Sequence, residues 1–231
     1  FFSTIWFHTP HLPVVTDSSF RNEYADLDLP EQLYYGSITA MDQQIGRLWE
    51  ALESAGIADE TIIFFCSDNG PEEQTPGSAG TFRGRKRSLY EGGVRVPAFV
   101  TWKGNIEGGR RIDFPAFTSD YLPTIIDLLG LDYPDSRPLD GTSILKAIQG
   151  KETVRQKAMG FICKPQTSWV SHQYKLIGNE NLQNFELYDL LADPSEKSDV
   201  VKEFPEVAKT LEAELKEWHR SVQSSSSGMD Y

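Results

Sequence analysis

The sequence predicts an α/β protein, with a sheet layered with helices over residues 1–153 and a small α+β subdomain over residues 154–222. Two observations predict this architecture. Helical and strand-like segments alternate up to about Gly150, and a group of short strand-like segments then precedes one amphipathic helix. The chain has 231 residues, of which 39% are hydrophobic and 12% aromatic, enough to build a real core.

The first region opens on the apolar segment FFSTIWF (1–7), which we expect to form a strand. Prolines and histidines in the following HTPHLPVV mark a loop. A helix is predicted from Pro30 to Ala55, closed by Gly56 as a C-cap, because apolar residues recur there at helical spacing. These apolar residues are Leu33, Ile38, Met41, Ile45, Leu48 and Leu52.

Two strands and a helix complete the first region. The continuous apolar run TIIFFCS (61–67) is typical of a strand buried on both faces of an α/β sheet, and RVPAFVTW (95–102) predicts a short strand. Residues 118–129, TSDYLPTIIDLL, predict a helix with Ser119 or Asp120 as N-cap and Gly130 as its end.

The second region begins with three strand-like segments, FICKPQTSWV, HQYKLIG and NFELYDL. An amphipathic helix is predicted from Pro205 to Arg220. The polar tail, residues 223–231 with its SSSSG run, is expected to be disordered.

Composition excludes some classes of partner. The net charge of −12 and the pI near 4.8 argue against nucleic-acid or anionic-membrane partners, which are bound through clustered Lys and Arg. No apolar run approaches the ~20 residues of a membrane span. The two cysteines, Cys66 and Cys163, are compatible with two free thiols or with one bridge.

Three clusters carry candidate chemistry. Asp68 and Asn69 follow a predicted strand and offer hard oxygens for Ca²⁺ or Mg²⁺, although SDNG is also typical of an Asx turn. Four cations in five residues suggest an anion site or a solvated basic loop. They are Arg83, Arg85, Lys86 and Arg87. His8 and His11, set among prolines, could donate to an oxyanion or be merely structural.

The order of these motifs resembles one known family. PHLP (10–13), SDNGPE (67–72) and RGRKRSLYEGGVRVP (83–97) together resemble the C-terminal part of the sulfatase family, within the alkaline-phosphatase-like superfamily. Segments such as TSDYLPTIIDLLG, LDGTSI and ELYDLLADPSEKSDV extend the resemblance over nearly the whole chain. It implies an alkaline-phosphatase-like sheet and hydrolysis of a small-molecule or glycan sulfate ester. It also favours a periplasmic or secreted location.

The resemblance also implies roles for single residues. Asp68 and Asn69 would bind a divalent cation, Ca²⁺ rather than Mg²⁺. Lys86 would bind the substrate sulfate. His11 would contact the sulfate and the leaving-group oxygen, with His8 as the second choice for the same role. Arg83, and Arg85 with it, would shape the field around the sulfate.

One family feature is missing from the sequence. Sulfatases carry a formylglycine nucleophile made from the Cys or Ser of a C/S-x-P-x-R motif, and neither Cys66 nor Cys163 lies in such a motif. In the closest approach, CKPQT, Thr167 stands in place of the arginine. We therefore expect a C-terminal portion with half a site, inactive alone. Its partner would be the missing N-terminal half, which should carry the formylglycine, and exposed sheet edges should favour self-association.

Two alternatives remain open at this point. A phosphodiesterase or phosphonate monoester hydrolase of the same superfamily could share the metal pair and the fold. A non-catalytic binding module could keep the fold without the nucleophile. The sequence also leaves open whether the substrate is an aryl sulfate, a sulfated glycan or choline sulfate.

Overall fold

The computed structural model describes residues 1–134 and 137–230. Within these ranges the α-helices are α1 (Ser18–Arg21), α2 (Leu29–Ser54), α3 (Glu91–Val94), α4 (Tyr121–Leu129), α5 (Leu145–Ile148) and α6 (Pro205–Ser226). The strands are β1 (Ile63–Cys66), β2 (Ala98–Thr101), β3 (Met159–Cys163), β4 (Gln166–Val170), β5 (Tyr174–Asn179) and β6 (Glu186–Asp189). Short 3₁₀ turns occupy Asn22–Tyr24, Ala58–Glu60 and Thr118–Asp120. In the same ranges, no helix is both long and apolar enough to cross a membrane.

Helix α2 confirms the predicted helix to within a residue at each end. The Asp28 carboxylate accepts a hydrogen bond from the Glu31 N–H at 3.0 Å, and Pro30 lies in the first turn, where its missing N–H is not needed. Past the last turn, Gly56 adopts a φ of 71°, a conformation that glycine takes without strain.

Strands β1 and β2 pair antiparallel, from Ile63 opposite Thr101 to Cys66 opposite Ala98. The prediction of a strand buried on both faces is wrong for β1, whose four residues are only half-buried. The reason is that β2 is the single strand paired with β1 in the described part of the chain. Cys66 in β1 and Cys163 in β3 are both free thiols.

The strand predicted for FFSTIWF is also not formed. Residues 1–7 have no regular secondary structure, and Phe1, Phe2 and Trp6 are 89%, 82% and 91% exposed. A strand needs a neighbour to take its backbone hydrogen bonds, and none of the residues described here supplies one.

The second region forms a four-stranded antiparallel sheet in the order β3-β4-β5-β6. The predicted segments HQYKLIG and NFELYDL each correspond to one strand, and FICKPQTSWV covers part of β3 and all of β4. One face of this sheet packs on α6, where Leu176 and Leu187 meet Leu211 and Leu215. Because side chains alternate along a strand, Lys175 points to the opposite face, which covers residues 83–91 of the first region.

Helix α6 is longer than predicted. It continues from Arg220 to Ser226, and a turn follows to residue 230, so the expected disordered tail at 223–231 is helical over its first half. No proline or glycine interrupts the chain before Gly228, so the helical hydrogen bonds continue to Ser227 N–H, which donates to the Gln223 carbonyl at 3.2 Å. Tyr231 lies outside the described residues.

A buried ion pair joins the two regions. Arg155 donates to the Asp120 carboxylate through two nitrogens at 2.7 and 2.9 Å, and both side chains are fully buried. Asp120 stands at the predicted N-cap of α4, but its carboxylate accepts from the N–H groups of Phe117 and Thr142 instead of the first turn of that helix. Gly130 ends α4 at a φ of 60°, as predicted.

Candidate functional site

The proposed metal ligands lie on the turn that follows β1. Ser67 N–H donates to the Pro97 carbonyl at 3.1 Å, and Gly70 N–H donates to the Gly93 carbonyl at 2.8 Å, so both ends of the turn are fixed. Between them, the Asn69 side-chain amide donates to the Asp68 carboxylate at 2.6 Å. Asp68 is exposed, and Asn69 is half-buried. The turn therefore presents a carboxylate and an amide side by side at the surface.

These two side chains fit part of a calcium site. A carboxylate and an amide oxygen are hard ligands of the kind that Ca²⁺ prefers, but Ca²⁺ takes about 6–8 oxygens. The described residues contain no group of three or more acidic, His or Cys side chains that could hold a metal ion. The turn thus offers two candidate ligands and would need further oxygens to complete a calcium site.

Lys86 is attached to the same turn through its backbone. Its N–H donates to the Pro71 carbonyl at 3.1 Å, and its ammonium lies 3.9 Å from the Glu72 carboxylate. The neighbouring Arg87 donates to the other oxygen of Glu72 at 2.6 Å, and this hydrogen bond lowers the pKa of Glu72. Sequence reasoning missed Glu72, although its place directly behind SDNGP was visible.

Arg83 and Arg85 bind groups other than the Glu72 carboxylate that Lys86 approaches. Arg85 donates to backbone carbonyls of the loop that follows residues 67–70, which we call the metal turn after its candidate role. These carbonyls belong to Glu72 (3.0 Å) and Thr75 (3.4 Å). Arg83 stacks on the Tyr90 ring, 3.8 Å from its centroid, and donates to the Tyr188 hydroxyl at 2.7 Å. Burial, together with the hydrogen bond to Glu186, raises the pKa of Tyr90 to about 12. The structure thus directs Arg83 to the second sheet.

Three glycines allow the two loops to meet. A Cβ on Gly70 would lie 1.9 Å from the Gly92 carbonyl oxygen, one on Gly92 would lie 2.2 Å from the Gly84 oxygen, and one on Gly93 would lie 2.0 Å from the Ser88 oxygen. Helix α3 therefore sits as a wedge between the metal turn and the basic loop, which we define as residues 83–87. Only glycine permits backbones to approach this closely.

We expect Gly92→Ala to destabilise the chain by about 1–3 kcal/mol, since the added methyl overpacks a contact between two backbones. Urea unfolding followed by circular dichroism measures the change. Gly46→Ala is the matched control, because Gly46 lies exposed in α2 with nothing within 4 Å of the new methyl. That control should raise stability by about 0.5–1 kcal/mol. Equal changes in the free energy of unfolding for the two substitutions would contradict close backbone packing at Gly92.

His8 and His11 form one turn. His11 N–H donates to the His8 carbonyl at 2.9 Å, and the two rings are 5.1 Å apart. His11 Nδ1 lies 2.7 Å from the Leu12 carbonyl oxygen, so this nitrogen is the donor and Nε2 is left for another partner. Both rings line a shallow cleft beside Ser37 of α2.

Helix α2 lies between the histidine turn and the loop after the metal turn. Ser37 faces the histidines, while Tyr34 packs against Gly77, where an added Cβ would lie 2.4 Å from the tyrosine oxygen. In the part of the chain that the structure describes, no hydrogen bond or ion pair joins His8 or His11 directly to the metal turn or Lys86. The structure attaches the Lys86 backbone to Pro71, the residue that follows Asp68, Asn69 and Gly70, and holds the histidines on the neighbouring surface of α2.

Two family models match the chain. The Sulfatase model matches residues 1–131, and the model for the C-terminal region of N-sulphoglucosamine sulphohydrolase matches residues 77–221. Each covers more than half of the chain.

Among the curated proteins, mouse steryl-sulfatase is 34% identical over 160 residues, which are 65% of this chain and 24% of that protein. N-acetylgalactosamine-6-O-sulfatase of Bacteroides thetaiotaomicron is 31% identical and is matched over 75% of this chain and 39% of its own length. This chain therefore spans between a quarter and two fifths of these two relatives.

The solved structures agree on the fold. The crystal structure of Ps i-CgsB superposes with a TM-score of 0.85 at 25% identity, covering 93% of this chain and 49% of that one. Phosphonate monoester hydrolase of Agrobacterium radiobacter has a TM-score of 0.61 at 23% identity, over 82% of this chain and 41% of its own, and shares the fold. The predicted α/β, alkaline-phosphatase-like fold is confirmed, and the chain belongs to the sulfatase family.

Proposed function

We propose that this chain is the C-terminal portion of an arylsulfatase-like sulfuric ester hydrolase and contributes metal- and sulfate-binding residues to its site. The observation that supports this most is the attachment of Lys86 to the Asp68–Asn69 turn, through the hydrogen bond to Pro71 and the glycine contacts of α3. A cation and an ammonium placed side by side suit an anionic sulfate ester. The partial coverage of the relatives supports the status of a portion.

Asp68 and Asn69 would hold Ca²⁺, and the ion when bound would polarise a sulfuryl oxygen as a Lewis acid. Lys86 binds a second sulfate oxygen as a point charge. Glu72, whose carboxylate lies 3.9 Å from the ammonium, orients the Lys86 side chain. The net result is positive charge aimed at the oxygens on which negative charge develops.

His11 serves the leaving group in this proposal. With Nδ1 donating to the Leu12 carbonyl, Nε2 can carry and release the proton that the leaving oxygen requires. His8, 5.1 Å away ring to ring, is the second candidate for the same step. Arg83, held against Tyr90 and Tyr188, acts at most through the field around the sulfate.

The chain alone should bind Ca²⁺ weakly, with a Kd of about 10⁻⁴ M or higher, since it supplies only part of the ligand set. Isothermal titration measures this, and Asp68→Ala should abolish the heat of binding. Asp26→Ala, which removes an exposed carboxylate elsewhere, is the control and should leave the titration unchanged. A submicromolar Kd for the chain would show that the ligand set is complete and would contradict the half site.

The reaction is tested on the complete protein, in which the N-terminal portion is joined to this chain. We expect hydrolysis of an aryl sulfate or a sulfated sugar, and no turnover by this chain alone. The panel includes a phosphodiester and a phosphonate monoester, because the phosphonate monoester hydrolase shares the fold. A preference for either phosphorus substrate, or binding without turnover of any of them, would overturn the proposal.

A further inference from the structure

The second sheet holds the basic loop and α3 from behind, through polar side chains on one of its faces. Gln166 of β4 accepts from the Leu89 N–H at 2.9 Å, and Lys175 of β5 donates to the Leu89 carbonyl at 3.2 Å. On β6, Glu186 accepts from the Tyr90 hydroxyl at 2.6 Å. Both backbone groups of Leu89 are thus bound by side chains from another part of the chain.

Lys175 is the centre of this face. Its ammonium lies 2.6 Å from a Glu91 oxygen and 2.9 Å from a Glu196 oxygen, and the second oxygen of Glu196 accepts from the Glu91 N–H at 2.6 Å. All three side chains are buried. A charged cluster without water is tolerated only when its members are paired and hydrogen-bonded, as they are here.

Glu91 is the first residue of α3, so the cluster fixes the position of the wedge. From α3, Gly92 N–H donates to the Arg83 carbonyl at 2.7 Å, at the start of the basic loop. The Gly93 carbonyl accepts from Gly70 N–H at 2.8 Å, at the end of the metal turn. Lys175 is therefore connected through α3 to the basic loop and to the metal turn, by hydrogen bonds and by the close glycine contacts.

We infer that Lys175 is a positioning residue for the site: by holding Glu91, it sets the place of Lys86 and of the Asp68–Asn69 turn relative to each other. The catalytic importance of this positioning rests on the proposed function, whereas the positioning itself can be tested on the chain without substrate. It assigns the small second subdomain a part in building the site, although no residue of that subdomain was predicted to touch the substrate.

Native-state hydrogen exchange on the full chain tests the inference without any substrate. In Lys175→Met, the exchange rates of the Gly70, Lys86 and Gly92 amides should rise by a factor at least 10 times larger than the factor found for amides in the middle of α2. Arg155→Met is the matched control, because Arg155 is equally buried and paired but contacts Asp120 instead of the wedge. The control should speed the same three amides no more than those of α2.

A milder substitution covers the case in which Lys175→Met does not fold, as judged by circular dichroism. Glu196→Gln keeps an acceptor for the Glu91 N–H and removes one charge of the cluster; it should speed the three amides at least threefold relative to α2. The inference would be overturned if, in every folded variant of the cluster, the exchange rates of these three amides rose by no more than those of the α2 amides.

The Ca²⁺ titration separates this inference from the proposed function. Both proposals are supported if the wild type binds Ca²⁺ with the expected Kd, if Lys175→Met raises that Kd at least threefold, and if the same variant speeds exchange of the three amides more than exchange in α2. Selective exchange without any Ca²⁺ binding by the wild type leaves the positioning role supported and counts against the metal site alone.

Discussion

Lys86→Ala in the complete enzyme should lower kcat/KM for an aryl sulfate by about 100- to 1000-fold, the range found when one preorganised group facing a developing charge is removed. The expected reason is that the variant lacks the ammonium that, under the proposed function, binds a sulfate oxygen. The steady-state rate with a chromogenic aryl sulfate measures the effect. His11→Ala should reduce the rate by about 100-fold or more, and most strongly for substrates with poor leaving groups.

The control for this prediction is Lys202→Ala, which removes an equal charge from an exposed position. It should leave the rate unchanged. Among the described residues the Lys86 ammonium has one ion-pair contact, to Glu72 at 3.9 Å, and its backbone hydrogen bond to Pro71 is kept in the variant, so Lys86→Ala should change the free energy of unfolding by less than about 1 kcal/mol. A wild-type rate in Lys86→Ala, or a loss of activity explained by unfolding, would refute the assigned role.

Arg155→Met should destabilise the chain by about 3–5 kcal/mol, because it leaves the buried Asp120 carboxylate without its cation. The two nitrogen-to-oxygen contacts of 2.7 and 2.9 Å are lost together. Denaturant unfolding measures the change in the free energy of unfolding. Since this pair joins α4 to the segment before β3, both regions should unfold in a single transition.

An exposed ion pair supplies the comparison. Arg111 lies 3.0 Å from Asp113, and the two side chains are 83% and 76% exposed. Arg111→Met should therefore change stability by less than about 1 kcal/mol. Similar losses in the two variants would mean that burial of the Arg155 pair has little energetic consequence.

Local patterns in the sequence predict the elements whose contacts are near in sequence. Helix α2 follows from its apolar spacing and Gly56, and the second sheet follows from three short β-rich segments, the first of which holds two strands. The strand predicted at residues 1–7 is absent because strand formation depends on a partner, which local composition does not reveal. The end of α6 was missed because a serine run reads as disordered, although nothing in it breaks a helix before Gly228.

The candidate site divides in the same way. SDNG indicates Asp68 and Asn69 as candidate ligands by residue type, whereas the choice of Lys86 among the four cations of the basic loop rests on the family resemblance. Residue type does not distinguish Lys86 from Arg83. Arg83 is turned toward the second sheet by its contacts with Tyr90 and Tyr188, which are about a hundred residues apart in the chain. Lys175 had one visible signal, a charge inside the apolar run YKLIG, and only the tertiary structure shows its partners.

The two faces of strand β5 place different physical demands on their side chains. Leu176 packs in the cluster with Leu211 and Leu215 of α6, where an apolar side chain of similar volume would keep most of the packing. Lys175, one residue earlier, is held by three oxygens from distant segments, and only its own chemistry satisfies them. A substitution in this strand must therefore preserve apolar volume at Leu176, and at Lys175 it must preserve a positive charge with three hydrogen-bond donors.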